Sequence, residues 1–191
     1  MDLTGKLLIA MPGMGDPRFE HGVVLIGAHG ADGAMGLIVN KPLHRPSFSE
    51  LLAQIGVAEA PAIASDRPGP AFPPVLFGGP VETSRGFVLH SSEWQGRGES
   101  MAISDDLHMT ATRDVLEAIG LGTGPRRAVL ALGYAGWGAG QLESEILANG
   151  WLTVERDDNL IFDRDHETKW ARALRALGVD PMTLSAAAGR A

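Results

Sequence analysis

Short apolar runs broken by glycine and proline set the rhythm of this chain, and most are too short for helices. Residues 6–10 (KLLIA) form an apolar run closed by Met11-Pro12-Gly13, which reads as a strand. Residues 22–27 (GVVLIG) and 36–40 (GLIVN) are β-branched runs separated by a segment containing Asp32-Gly33. Asp-Gly is a strong turn signal, so the two runs are predicted to pair as a hairpin. Residues 86–90 (GFVLH), 100–104 (SMAIS) and 128–132 (AVLAL) read as further strands, with residues 75–77 as a shorter one.

Helical spacing appears in four places. In residues 47–55 (SFSELLAQI), Ser47 and Glu50 have capping-box spacing, Leu51, Leu52 and Ile55 form the apolar face, and Gly56 stands at the C-terminal cap. Residues 111–119 follow, with Thr110 as the expected N-cap and Gly120 at the end. Residues 141–148 read as a helix stopped at Asn149-Gly150. Residues 166–177 carry Trp170, Leu174 and Leu177 at helical spacing, ended by Gly178. Residues 151–155 and 160–162 flank Asp157-Asp158-Asn159, which predicts a second hairpin. Residues 57–74 contain Pro61, Pro68, Pro70, Pro73 and Pro74, a composition that removes backbone donors and reads as a long surface loop. Strands and helices in this mixed order predict an α+β (mixed α/β) domain spanning residues 1–191.

Composition narrows the setting. A chain of 191 residues with 45% hydrophobic content can build one sizeable core. The net charge of −7 argues against broad phosphate-backbone binding, so direct nucleic-acid contact is not expected. The chain has no cysteine, which rules out disulfides and thiolate chemistry. No run approaches the length of a membrane span, and the N-terminus lacks the pattern of a signal peptide. The expectation is a cytoplasmic protein.

The densest segment is residues 133–146 (GYAGWGAGQLESEI), with the sole tyrosine, Tyr134, and Trp137 among glycines. Read as strand, glycine turn and helix, it has the outline of a phosphate cradle. It lacks the lysine and hydroxyl of a P-loop, and Glu143 and Glu145 in the first helical turns would repel an anion. Two readings remain: a tight structural turn anchored by aromatics, or a pocket rim in which Tyr134 and Trp137 offer stacking faces. The histidines His21, His29, His44, His90, His108 and His166 form no local metal motif, and each reads as a buried, hydrogen-bonded residue. No nucleophile elbow occurs. Lys169, Arg172 and Arg175 lie on one stripe of the last helix and read as a solvated face. The residues assign no catalytic group, cofactor or metal.

Several pieces taken together resemble the bacterial AlgH/YqgE family. They are LLIAMP (residues 7–12), GAMGLIVNKP (33–42), GGPV (78–81) with GFVLH (86–90), GYAGW (133–137) with GQLESE (140–145), NGWL (149–152), and Lys169-Trp170 followed by LRALGV (174–179). They span nearly the whole chain. The resemblance implies a cytoplasmic single domain, a mostly antiparallel β-barrel-like sheet flanked by helices. It also implies the family's label of transcriptional regulator, drawn from the alginate-regulation context of one branch, and transfers no catalytic residue. Two positions depart from the pattern: Asp165 stands where proline is common and reads as a helix N-cap, and Arg190 stands where histidine is frequent.

Beside the reading that these motifs are purely structural and that function lies in the loop of residues 57–74, two functional expectations follow. One is a regulatory protein acting through protein partners. The other is a small-ligand binder or an enzyme using a surface formed by Asn40, Lys41, Pro42, Gly78, Gly79, Pro80, Tyr134, Trp137, Gln141 and Glu143, whose three segments would have to converge.

Overall fold

The computed structural model describes residues 2–57, 72–182 and 184. Its strands are β1 (Leu7–Ala10), β2 (Val23–Gly30), β3 (Gly33–Ile38), β4 (Val75–Phe77), β5 (Val81–Ser91), β6 (Ser100–Ala102), β7 (Leu107–Thr110), β8 (Ala128–Gly138) and β9 (Trp151–Val154). They form one sheet in the order β6-β7-β5-β8-β3-β2-β1-β9, with β4 beside β8. All pairings are antiparallel except β4 with β8. The sheet curls into a half-barrel accompanied by five helices, a single α+β domain. These are α1 (Phe48–Gln54), α2 (Arg113–Gly120), α3 (Gln141–Leu147), α4 (Asp158–Phe162) and α5 (Lys169–Ala176).

Strand alternation sorts the apolar residues into layers. Leu7, Ile9 and Leu25 join Phe87, Leu89, Trp170 and Leu174 in the largest cluster. Their neighbours Leu8, Val24 and Ile26 face the opposite way, onto Trp137, Leu142 and Trp151. Both faces of β1 and β2 are therefore buried, which explains why these strands are continuous apolar runs. A third cluster packs Phe48, Leu52, Val115 and Ile119 of α1 and α2 against Val88 and Leu130.

Strand β8 is the spine. Its first half pairs with β5 on one side and β4 on the other, and its second half pairs with β3. The change of partner falls at Gly133, whose φ of 74° lies in the left-handed region and whose Cβ would stand 2.4 Å from the Gly79 carbonyl oxygen. Only glycine fits there.

Most predicted elements form. Ser47 and Glu50 make both bonds of the capping box, and β2 and β3 pair as the hairpin. Several expectations are corrected, and of the six histidines only His90 and His166 are buried. Residues 133–138 are not a turn but the second half of β8, because β3 supplies a new partner beyond Gly133. Residues 151–162 are not a hairpin. Strand β9 pairs with β1, while Asp157 accepts from the Asn159 N–H and starts α4. Thr110 ends β7 and Thr112 is the N-cap of α2. Asp165 accepts from Thr168, the N-cap of α5, instead of starting the helix itself. Most of the proline-rich loop, and Arg190, lie outside the described residues.

Lys169 is not on a solvated face. It is fully buried, and its Nζ donates to the Val39 and Ile161 carbonyls at 2.8 Å each. Burial pulls its pKa down to about 8, against the opposing pull of Asp163. Next in sequence, Trp170 Nε1 donates to the Ala10 carbonyl at 2.8 Å. Together they clamp α5 to the ends of β1 and β3.

Candidate functional site

The half-barrel opens on a groove of about 710 Å³ between the β2–β3 hairpin tip and the strands β5 and β8. Its aromatic walls are Phe87 and Tyr134, Met35 adds an apolar contact, and Gly136 leaves the floor bare; Trp137 borders the groove, but its ring packs on the opposite face of the sheet. Phe87 and Tyr134 meet edge to face with centroids 5.8 Å apart. Between Val81 and Gly86 the register of β5 against β8 slips, and Arg85 lies at the end of that irregularity. Its guanidinium rests 5.1 Å over the Phe87 ring and pairs with Glu82 at 3.1 Å. Among the described residues the Tyr134 hydroxyl has no hydrogen-bond partner, which leaves it available to an occupant.

The rim is tied down by α3. His29 Nδ1 accepts from the Leu3 N–H at 3.4 Å, which assigns the proton to Nε2, and Nε2 donates to Glu143 at 2.8 Å. Glu143 is held below the usual carboxylate range by its backbone N–H and then by His29. Behind the groove wall, Trp137 Nε1 and Trp151 Nε1 both donate to Glu145 Oε2, at 2.9 and 2.8 Å. Gln141 donates to the other oxygen of Glu145 at 2.9 Å and accepts from the Gly138 N–H at 3.0 Å. The GQLESE run is thus a bracket that fixes the end of β8 to α3.

The other expected site residues lie behind this wall. Asn40 Oδ1 accepts from the Val23 N–H and its amide donates to the His21 carbonyl, both at 2.8 Å. The Lys41 carbonyl accepts from Phe77 N–H, and its side chain faces Asp16 and Glu20. Burial lowers the Lys41 pKa. Pro42 bridges to Leu76. Gly78 donates to Leu132 O and accepts from Ile38 N–H at 2.8 and 2.9 Å. A Cβ on Gly79, at φ 153°, would stand 2.1 Å from the Tyr134 carbonyl carbon. Pro80 leads into Val81, which pairs with Tyr134. The three segments therefore meet through their backbones, but Lys41 does not line the groove with Tyr134 and Trp137.

Sequence reasoning missed Arg85, Phe87, Met35 and His29 as groove residues. The alternation of Arg85 and Phe87 was a usable signal, but the slip in register that brings them over Tyr134 is a tertiary feature. Among the described residues no group of three or more His, Asp or Glu side chains is arranged to hold a metal, and no helix is long and apolar enough to cross a membrane.

The model of the AlgH-like family, DUF179, matches residues 7–182. A UPF0301 protein of Paracoccus denitrificans is 57% identical over 192 residues, covering 100% of this chain and 97% of that one. A UPF0301 protein of Ruegeria pomeroyi is 54% identical, with 100% of both chains covered. The solution structure of the AlgH protein from Pseudomonas aeruginosa superposes with a TM-score of 0.77 at 39% identity, covering 100% of this chain and 97% of that one. A crystal structure from Corynebacterium diphtheriae, 19% identical, shares the fold with a TM-score of 0.69 over 96% of this chain and 90% of that one. With a family model spanning nearly its full length and close relatives end to end, the chain belongs to the AlgH-like family.

Proposed function

We propose that this is a ligand-binding regulatory protein whose recognition surface is the groove around Tyr134. The ligand class is a small molecule with a flat apolar ring and one anionic group. The observation that carries the reading is the unpartnered Tyr134 hydroxyl beside stacked Arg85 and Phe87, above the bare floor at Gly136. The ring would lie against Tyr134 over Gly136, and the anion would displace Glu82 from Arg85, an exchange that exposure makes inexpensive. A volume of about 710 Å³ suits such a molecule. Calorimetric titration with indole-3-acetate and phenylacetate, against indole and toluene-type analogues lacking the carboxylate, tests this. Binding of the acids that weakens in Arg85→Gln supports it; no saturable binding by any of them removes it.

Action through a protein partner is the second reading, and α3 supports it. Leu147 on that helix is 84% exposed, and the His29–Glu143 pair links the same helix to the groove rim. A ligand that moves the hairpin would therefore act on α3. Site-specific photocrosslinking from the neighbouring exposed position of Ala148 in cells, with and without Leu147→Glu, tests for a defined partner. Direct operator binding is the less favoured form of regulation given the charge of −7, and a gel shift at physiological salt tests it. We propose a cytoplasmic setting for this action, which cell fractionation tests.

A further inference from the structure

A second cleft, away from the groove, carries chemistry of the opposite kind. It is about 340 Å³ and lies between the Gly122–Pro125 turn, the Pro73–Pro74 segment and α4. Arg126, Arg127 and Arg164 line it, and no carboxylate does among the described residues. In a chain of net charge −7, three guanidiniums on one small cleft are a local reversal of the overall field.

Two of the three are held in place. Arg127 rests 4.8 Å over the Phe162 ring, and Arg164 donates to the Phe72 carbonyl at 2.8 Å. The Arg126 backbone N–H donates to Glu93, while its side chain has no partner among the described residues. Asp158, outside the lining, pairs with Arg127 and is shared. It lies 3.3 Å from Arg127, and its other oxygen makes an ion-pair contact with Arg156 at 2.7 Å without hydrogen-bond alignment. Arg156 also pairs with Asp106, and Glu93 lies near Arg126, so the cationic character of the cleft rests on its lining, three guanidiniums and no carboxylate among the described residues. The remaining walls, Phe72, Ile119 and Pro125, are apolar. Fixed guanidinium forks beside an apolar wall suit the tetrahedral, multiply charged oxygens of a phosphate group better than a single carboxylate.

We propose that this cleft is a binding site for a small phosphorylated molecule, with Arg126, Arg127 and Arg164 gripping its phosphate oxygens. The site is independent of the aromatic groove and stands or falls separately from it.

Titration calorimetry of the full chain with inorganic pyrophosphate in low-salt buffer is the test, with citrate as a polycarboxylate control and a short duplex DNA as a macromolecular control. The expected result is saturable one-to-one binding of pyrophosphate, weakened about tenfold or more by Arg126→Gln and further by Arg126→Gln/Arg164→Gln. Arg126→Gln removes no side-chain contact, so an unchanged thermal melt confirms that the loss is local. Amide shifts at Gly122 and Gly124 on titration would place the ligand in the cleft. No saturable pyrophosphate binding, binding indifferent to both variants, or stronger binding of citrate or DNA would each overturn the proposal.

Discussion

Trp137 and Trp151 share one oxygen: both indole N–H groups donate to Oε2 of Glu145, at 2.9 and 2.8 Å. Their rings meet edge to face at 5.9 Å, with Phe19 packed against both. A single carboxylate on α3 thus orients the aromatic end of β8 and the start of β9. Glu145→Ala leaves two largely buried donors unsatisfied and should cost about 2–4 kcal/mol. Denaturant unfolding followed by tryptophan fluorescence measures this directly. A cost near zero would mean that water replaces the carboxylate and that the bracket does not rigidify the groove wall.

Two glycines beside Tyr134 should behave differently. A Cβ on Gly79 would collide with the Tyr134 and Ala135 backbone at 2.1–2.3 Å, whereas one on Gly136 meets the Tyr134 ring edge at 3.3 Å. Gly79→Ala should cost about 3 kcal/mol or more, because a backbone cannot step aside. Gly136→Ala should cost less than about 1 kcal/mol and fill the groove floor. Thermal melts of the pair check this ordering.

Lys169 makes a signed prediction about pH. Its folded pKa of about 8 lies below the ordinary value of 10.5 because burial disfavours the ammonium. Below pH 8 the lysine is charged in both states and the full cost of burying the charge is present. Between about pH 8 and 10.5 the unfolded chain binds more protons than the folded one, so this group's contribution to stability rises with pH, then levels off. Lys169→Met should abolish that rise relative to the parent protein. It should also destabilise at pH 7 by about 2–4 kcal/mol, since the Val39 and Ile161 carbonyls lose their donor. Urea unfolding at pH 7, 8, 9 and 10 for both proteins tests the sign.

Local signals carried the reading of the fold a long way. The capping box at Ser47 and Glu50, the Asp32-Gly33 turn and the cap at Gly178 are short-range devices, and all form where the residues indicate. What failed was non-local. Residues 133–138 looked like a turn because their glycines are unusual in a strand, yet β3 recruits them into the sheet. Lys169 looked like a surface cation because helical spacing alone cannot show that the Val39 and Ile161 carbonyls wait for it. The same limit applies to the groove. Tyr134 and Trp137 drew attention by composition, but their rings face opposite ways, and Arg85 and Phe87 join Tyr134 through a register slip that no local pattern records.

The central claim, that the groove around Tyr134 is the recognition surface, has an unusually direct reporter because Tyr134 is the chain's only tyrosine. Tyrosine-selective ¹³C labelling gives a single ring spectrum. On titration with indole-3-acetate the account predicts that this spectrum shifts and saturates, with the response weakened in Arg85→Gln and lost in Gly136→Leu. Saturable binding that leaves the Tyr134 ring signals unmoved would contradict it.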